Sequence, residues 1–143
     1  MGPQSPERAS YGVTTIRSLV SVVDDDESVR ESLPDLLREF GFAARAFASA
    51  EEFLASDCIA TTKCLILDVV MPGMGGPALQ RELQLAQKNI PIVFITAQGN
   101  EVIRRRLIEA GAVDCLFKPF SESALLKALT LAMKGNGATE FDG

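Results

Sequence analysis

Four short stretches of this sequence carry side chains that can do polar chemistry. They are the acidic pair Asp24 and Asp25 in VVDDDESVRESL, Asp68 in CLILDVVMPGMGG, Thr96 in VFITAQG and Lys118 in AGAVDCLFKPF. Three carboxylates gathered at one place would repel one another unless a cation stood among them. The chain has no histidine, and an all-oxygen ligand set suits Mg²⁺ or Mn²⁺ better than Zn²⁺. A carboxylate beside such a cation can attack phosphorus and form an acyl phosphate. Lysine and hydroxyl groups would add charge neutralisation and in-line positioning. Ala97, next to Thr96, is small enough to leave the approach open and offers its backbone N–H.

Each residue also has a plainer reading. An acidic run such as Asp24 to Glu27 is commonly a solvated helix-capping loop, a threonine ending a strand is commonly packing, and a lysine before proline is commonly a loop residue. Asp68 is stronger, because it ends an apolar run and precedes the turn sequence MPGMGG. What decides between the readings is whether the elements bring these positions together.

Apolar runs of strand length alternate with stretches of helical spacing. The strand candidates are Leu19 to Val23, Ala43 to Phe47, Cys64 to Leu67, Ile92 to Thr96 and Asp114 to Phe117. The third and fourth are continuous apolar runs, as expected of a parallel sheet buried on both faces. Val29, Leu33, Leu36, Leu37 and Phe40 mark the first helix; Leu79, Leu83 and Leu85 to Ala86 the third; Ile103, Leu107 and Ala110 the fourth. Gly41 and Gly111 stand where helices should stop, and Ser121 should cap a last helix over 122–134. Pro34 predicts a kink or an irregular first turn in the first helix. A βα alternation with short connections implies right-handed crossovers and a parallel sheet covered on both faces. Ligands of such sheets bind at the carboxyl ends of the strands, where Asp24, Asp25, Asp68, Thr96 and Lys118 all fall.

The bulk properties set limits. A chain of 143 residues, 47% hydrophobic, suits one domain with a real core. A net charge of −5 argues against this segment holding nucleic acid or an anionic membrane by bulk electrostatics. Cys58, Cys64 and Cys115 are odd in number and dispersed, so reduced packing thiols in a cytoplasmic protein are expected. No run is long enough to span a bilayer, and the opening residues lack the apolar core of a signal peptide. Residues 1–17 and 135–143 read as flexible tails or linker around a folded unit over 18–134.

With these residues assembled, the chain resembles the receiver domains of bacterial two-component response regulators over 18–134. The resemblance implies a flavodoxin-like (βα)5 three-layer sandwich with a five-stranded parallel sheet of order 2-1-3-4-5. It implies that Asp68 accepts a phosphoryl group from a sensor histidine kinase, without being an enzyme in any wider sense. It also implies that Asp25 and Asp68 bind Mg²⁺ directly, Asp24 through water and Val70 through its carbonyl, with Mn²⁺ as a substitute. Thr96 and Lys118 would contact the phosphoryl group, and the Lys118–Pro119 bond would be cis. Partner binding or homodimerisation would use the face of the fourth helix, fifth strand and fifth helix, which here carries Arg104, Arg105 and Arg106.

One position departs from the pattern. Three residues before the lysine the family usually keeps an aromatic switch, and this chain has Cys115, so the route by which a signal leaves Thr96 is altered. Two other classes fit less well. An aspartyl phosphatase would carry a DxDx[TV] nucleophile motif after its first strand, which VVDDDESV lacks. A flavin module would not place an acidic loop beside a phosphate. A degenerate receiver used only for contact is disfavoured because the phosphorylation residues are all present.

Overall fold

The computed structural model describes residues 17–142, and side chains over 17–134. Five parallel strands, β1 (Leu19–Val23), β2 (Ala43–Phe47), β3 (Thr62–Asp68), β4 (Ile92–Thr96) and β5 (Asp114–Phe117), form one sheet of order β2-β1-β3-β4-β5. The helices are α1 (Glu27–Glu39), α2 (Ala50–Leu54), α3 (Gly76–Leu85), α4 (Glu101–Glu109) and α5 (Glu122–Asp142), with a 3₁₀ turn at Asp57–Ala60 before β3. The parallel sheet is the one the strand pattern predicts, and its order is the flavodoxin-like one that the family resemblance implies.

Alternation along the strands builds two cores. Leu65, Leu67 and Phe94 face a cluster with Phe47, Phe53, Leu79, Leu83 and Leu107, under α2, α3 and α4. Cys64, Ile66, Val93 and Ile95 face Leu33, Leu37, Leu125 and Leu129, under α1 and α5. Both faces of β3 and β4 are therefore dry, which is why those strands read as unbroken apolar runs.

Helix ends follow local chemistry. After α1, the N–H of Gly41 (φ 101°) bonds the carbonyl of Arg38 and that of Phe42 bonds Leu37. After α4, Gly111 (φ 117°) and Ala112 bond Ile108 and Leu107 in the same way. Both are Schellman closures, and glycine takes the left-handed position without steric cost. α3 closes identically, but with Gln87 at φ 60°.

Two expectations need correcting, and a third falls almost wholly outside the described residues. α1 runs unbroken through the buried Pro34, and its first turn is regular, capped by the Asp26 side chain accepting the Ser28 N–H. Packing of an apolar face outweighs one lost hydrogen bond. α5 does not stop near Lys134 but continues to Asp142, because Gly135 and Gly137 weaken a helix without blocking it and no proline follows Pro119. The tail assigned to 1–17 lies, apart from Arg17, outside the described residues. Among the described residues no helix is long and apolar enough to cross a membrane.

Candidate functional site at the carboxyl edge of the sheet

Parallel pairing in register fixes where the chemistry sits. Val23 pairs with Leu67 and Asp68 with Ile95, so the residues that follow β1 and end β3 and β4 emerge side by side. One carboxylate oxygen from each of Asp24, Asp25 and Asp68 lies within 4.8 Å of the others. Asp24 is fully buried and Asp68 is 6% exposed, while Asp25 faces solvent.

Asp24 is engaged on all sides. Its Oδ1 accepts the Asp26 N–H at 2.9 Å, its Oδ2 accepts Lys118 Nζ at 2.8 Å, and its backbone carbonyl accepts Arg30 Nη1 at 3.0 Å. The ammonium of Lys118 is also 4.0 Å from Asp68 Oδ1. One ammonium among three carboxylates leaves the site with surplus negative charge, and the titration of Asp68 registers it. Burial first, then the Asp24 charge, push the Asp68 carboxyl up to about 7, against the opposite pull of Lys118. Burial alone would lower Lys118, but its hydrogen bond to Asp24 and the charges of Asp24, Asp68 and Asp26 outweigh that and hold the ammonium above its ordinary value. Buried, crowded carboxylates with exposed Asp25 at the rim fit a hard divalent cation with oxygen ligands.

The remaining positions are placed as follows. Thr96 ends β4, buried, and its carbonyl accepts the Lys118 N–H at 2.8 Å. Its hydroxyl accepts the Gln98 N–H at 3.1 Å, and among the described residues no hydrogen bond joins it to Asp68 or Lys118. Ala97 is exposed at the start of the β4–α4 loop, and Val70 is exposed just after β3. The Lys118–Pro119 bond is cis. Cys115 is not part of the carboxylate cluster. It is buried in β5 opposite Phe94, with its carbonyl accepting Arg104 Nε at 3.3 Å. Burial lifts its thiol to about 11 and that of Cys64 to about 12, so both are inert packing groups near neutrality. All three cysteines are free.

Of the three arginines on α4, Arg104 turns inward to Asp114 at 2.8 Å, and Arg105 and Arg106 face solvent.

The sequence reading missed Gly76. A Cβ there would lie 2.5 Å from the Asp68 carbonyl oxygen and 2.9 Å from Phe94 Cε1, so only glycine lets α3 begin this close to the end of β3. Its signal was the run MPGMGG, which was read only as a turn. Asp26 was also overlooked as the residue that orients Asp24.

Comparison with known proteins agrees with this geometry. Residues 20–130 match the family described as response regulator receiver domain. Nodulation protein W of Bradyrhizobium diazoefficiens is 44% identical over 81% of this chain and 51% of its own length. The response regulator protein TodT of Pseudomonas putida is 42% identical over 82% of this chain and 52% of its own. A response regulator receiver protein from Burkholderia phymatum superimposes with a TM-score of 0.69 at 37% identity, covering 81% of this chain and 94% of that one. The chain thus spans about half the length of the curated relatives it matches. An acidic cluster at the mouth of β3 in a flavodoxin-like sheet and a family match over most of the chain lead to one conclusion: this protein belongs to the response regulator receiver domain family of two-component systems.

Proposed function

We propose that Asp68 is the phosphate acceptor, taking a phosphoryl group from the phosphohistidine of a sensor histidine kinase, and that its phosphorylation switches partner binding or dimerisation. The observation that carries this reading is the position of the Asp68 carboxylate, at the strand mouth with Asp24 and Asp25 beside it and Lys118 Nζ 4.0 Å away. Ionised, an Asp68 oxygen attacks phosphorus; the new O–P bond forms as the P–N bond breaks, and its electron pair stays on the imidazole of the kinase. Lys118 would balance charge on the phosphoryl oxygens, while the Thr96 hydroxyl and the Ala97 N–H would orient them. No other turnover is proposed: the chain acts as a signalling phosphoacceptor that catalyses its own labelling and its own hydrolysis.

Asp25, Asp68 and the Val70 carbonyl would hold Mg²⁺, or Mn²⁺ in its place, and Asp24 would reach it through water. Both Asp24 oxygens already accept hydrogen bonds, which supports the indirect role. A bound divalent cation supplies neutralisation of the acceptor and the phosphoryl group together. For dimerisation, the face of α4, β5 and α5 offers the exposed Val102 and Leu126 with Arg105 and Arg106. Incubation with acetyl phosphate and Mg²⁺, read by intact mass, should add one phosphate to the wild type and none to Asp68→Asn. Equal labelling of both proteins would remove Asp68 from the role.

A further inference from the structure

The structure places an aromatic ring beside Thr96 without involving position 115. Thr96 pairs with Phe117 in the parallel register of β4 and β5, so their side chains stand next to each other on one face of the sheet. Both also border Gly99 in the β4–α4 loop. A Cβ on Gly99 would lie 2.5 Å from Cδ1 of Phe117 and 2.6 Å from Cγ2 of Thr96, closer than real atoms approach. The absent side chain is therefore what lets ring, methyl group and loop meet.

We propose that Phe117 is the positioning residue that couples the rotamer of Thr96 to the β4–α4 loop and the start of α4. The proposal rests on the reading of Asp68 as phosphate acceptor. The hydroxyl and methyl of Thr96 are carried by the same carbon, so turning the one toward an occupied Asp68 turns the other away from its present neighbours. That turn does two things at once. It withdraws the acceptor of the Gln98 N–H, and it changes the surface against which the Phe117 ring rests. Both changes fall on the loop that leads into Asn100, whose side chain caps α4 by accepting the Ile103 N–H.

Phe117 is suited to move and Cys115 is not. Cys115 is 2% exposed and packed among fully buried neighbours such as Phe94. Phe117 is only partly buried, packed against the edge of that core with one side open. A contact that differs between two states is what shifts an equilibrium, and a large ring at a half-open edge provides more difference than a small enclosed thiol.

The test compares backbone amide shifts with and without beryllofluoride and Mg²⁺ in wild type, Phe117→Leu and Phe117→Tyr. In the wild type, shifts are expected both around Asp24, Asp25 and Asp68 and over 98–109. In Phe117→Leu the first set should persist, along with labelling of Asp68 by acetyl phosphate, while the second falls to less than half. Phe117→Tyr, which keeps the ring, should restore it. Undiminished shifts over 98–109 in Phe117→Leu overturn the coupling role and leave the acceptor reading intact. Absence of any shift near Asp68 in the wild type overturns the acceptor reading, and the coupling role falls with it. Should Phe117→Leu fail to fold, the wild type decides alone: cross-relaxation between the Thr96 methyl and the Phe117 ring must change when beryllofluoride binds, and an unchanged signal overturns the proposal.

Discussion

The ammonium of Lys118 is bound to Asp24 at 2.8 Å and stands 4.0 Å from Asp68, so the lysine is anchored by one carboxylate while it faces another. Asp24 is fully buried, and its second oxygen is fixed by the Asp26 N–H. The anchor is thus rigid, and the charge is set in place before any phosphoryl group arrives. Such preset charge is worth more than a mobile one, because no reorganisation is needed at the moment of reaction. Lys118→Met should slow labelling of Asp68 by acetyl phosphate about a hundredfold, the usual scale for removing one preset donor. Single-turnover mass spectrometry measures it, and a change smaller than about threefold would mean that Lys118 serves structure rather than chemistry.

The raised pKa of Asp68 links metal, pH and stability. In the unfolded chain an aspartate titrates near 4, whereas the folded site holds Asp68 at about 7. A group that binds its proton more tightly when folded stabilises the fold fully below its unfolded pKa and loses that contribution as pH rises through its folded pKa. Metal-free wild type should therefore lose stability relative to Asp68→Asn between about pH 4 and about pH 7, as read from urea midpoints in chelator. Mg²⁺ should reverse the loss, since a ligand at 100 times its dissociation constant contributes about 2.7 kcal/mol. Asp25→Ala should abolish most of that gain. A metal-induced shift that survives in Asp25→Ala would put the ion elsewhere.

How much of this was legible beforehand depends on how local the cause is. β1, β2, β4 and β5 were readable to the residue because each is a short, mainly apolar segment between turn signals. β3 was read too short, as Cys64 to Leu67, whereas it spans Thr62–Asp68. Its pairing with β1 jumps from Leu19↔Thr62 to Val20↔Cys64, leaving Lys63 as the extra residue, and no periodicity reports such an irregularity. α2 was left without residues because five are too few to show a helical repeat. Its start was nonetheless written in Ser49 and Glu52: the Ser49 hydroxyl accepts the Glu52 N–H, and the Glu52 carboxylate reaches back to the Ala48 N–H. The carboxylates of the site were legible because strand ends gather by a topological rule. The bond between Lys118 and Asp24 and the meeting of Phe117, Thr96 and Gly99 were not, since they depend on side-chain directions across the sheet.

The turn after α3 offers a separate check on the backbone. Gln87 sits at φ 60° in the position that glycine occupies after α1 and α4, and its side chain is exposed. A residue with a Cβ pays roughly 1 kcal/mol for that conformation. Gln87→Gly relieves it, partly offset by the greater freedom of glycine in the unfolded chain. A net stabilisation of up to about 1 kcal/mol is expected, with an unchanged denaturant slope. Gln87→Val should shift the midpoint the other way. A neutral result for both would show that the Schellman closure contributes little here.

Cys115 is where sequence and packing give opposite advice. By the family pattern, an aromatic residue three positions before Lys118 would restore a missing switch. The packing leaves little room for it: Cys115 pairs with Phe94, is 2% exposed, and lies in the core beneath α3 and α4. Large Phe94 and small Cys115 complement each other across β4 and β5, so a phenyl group at 115 would have to displace its neighbours. Overpacking of this kind costs about 1–3 kcal/mol. Cys115→Phe should therefore unfold at lower urea concentration than the wild type, by that amount, rather than simply strengthen coupling to Asp68. The double change Phe94→Cys with Cys115→Phe exchanges the two side chains, conserves their summed volume and should recover at least half of the loss, a non-additivity expected of residues in contact. Equilibrium denaturation of the four proteins in this cycle measures it. Full stability in Cys115→Phe alone would show that this part of the core can open, and that an aromatic switch at 115 is sterically accessible after all.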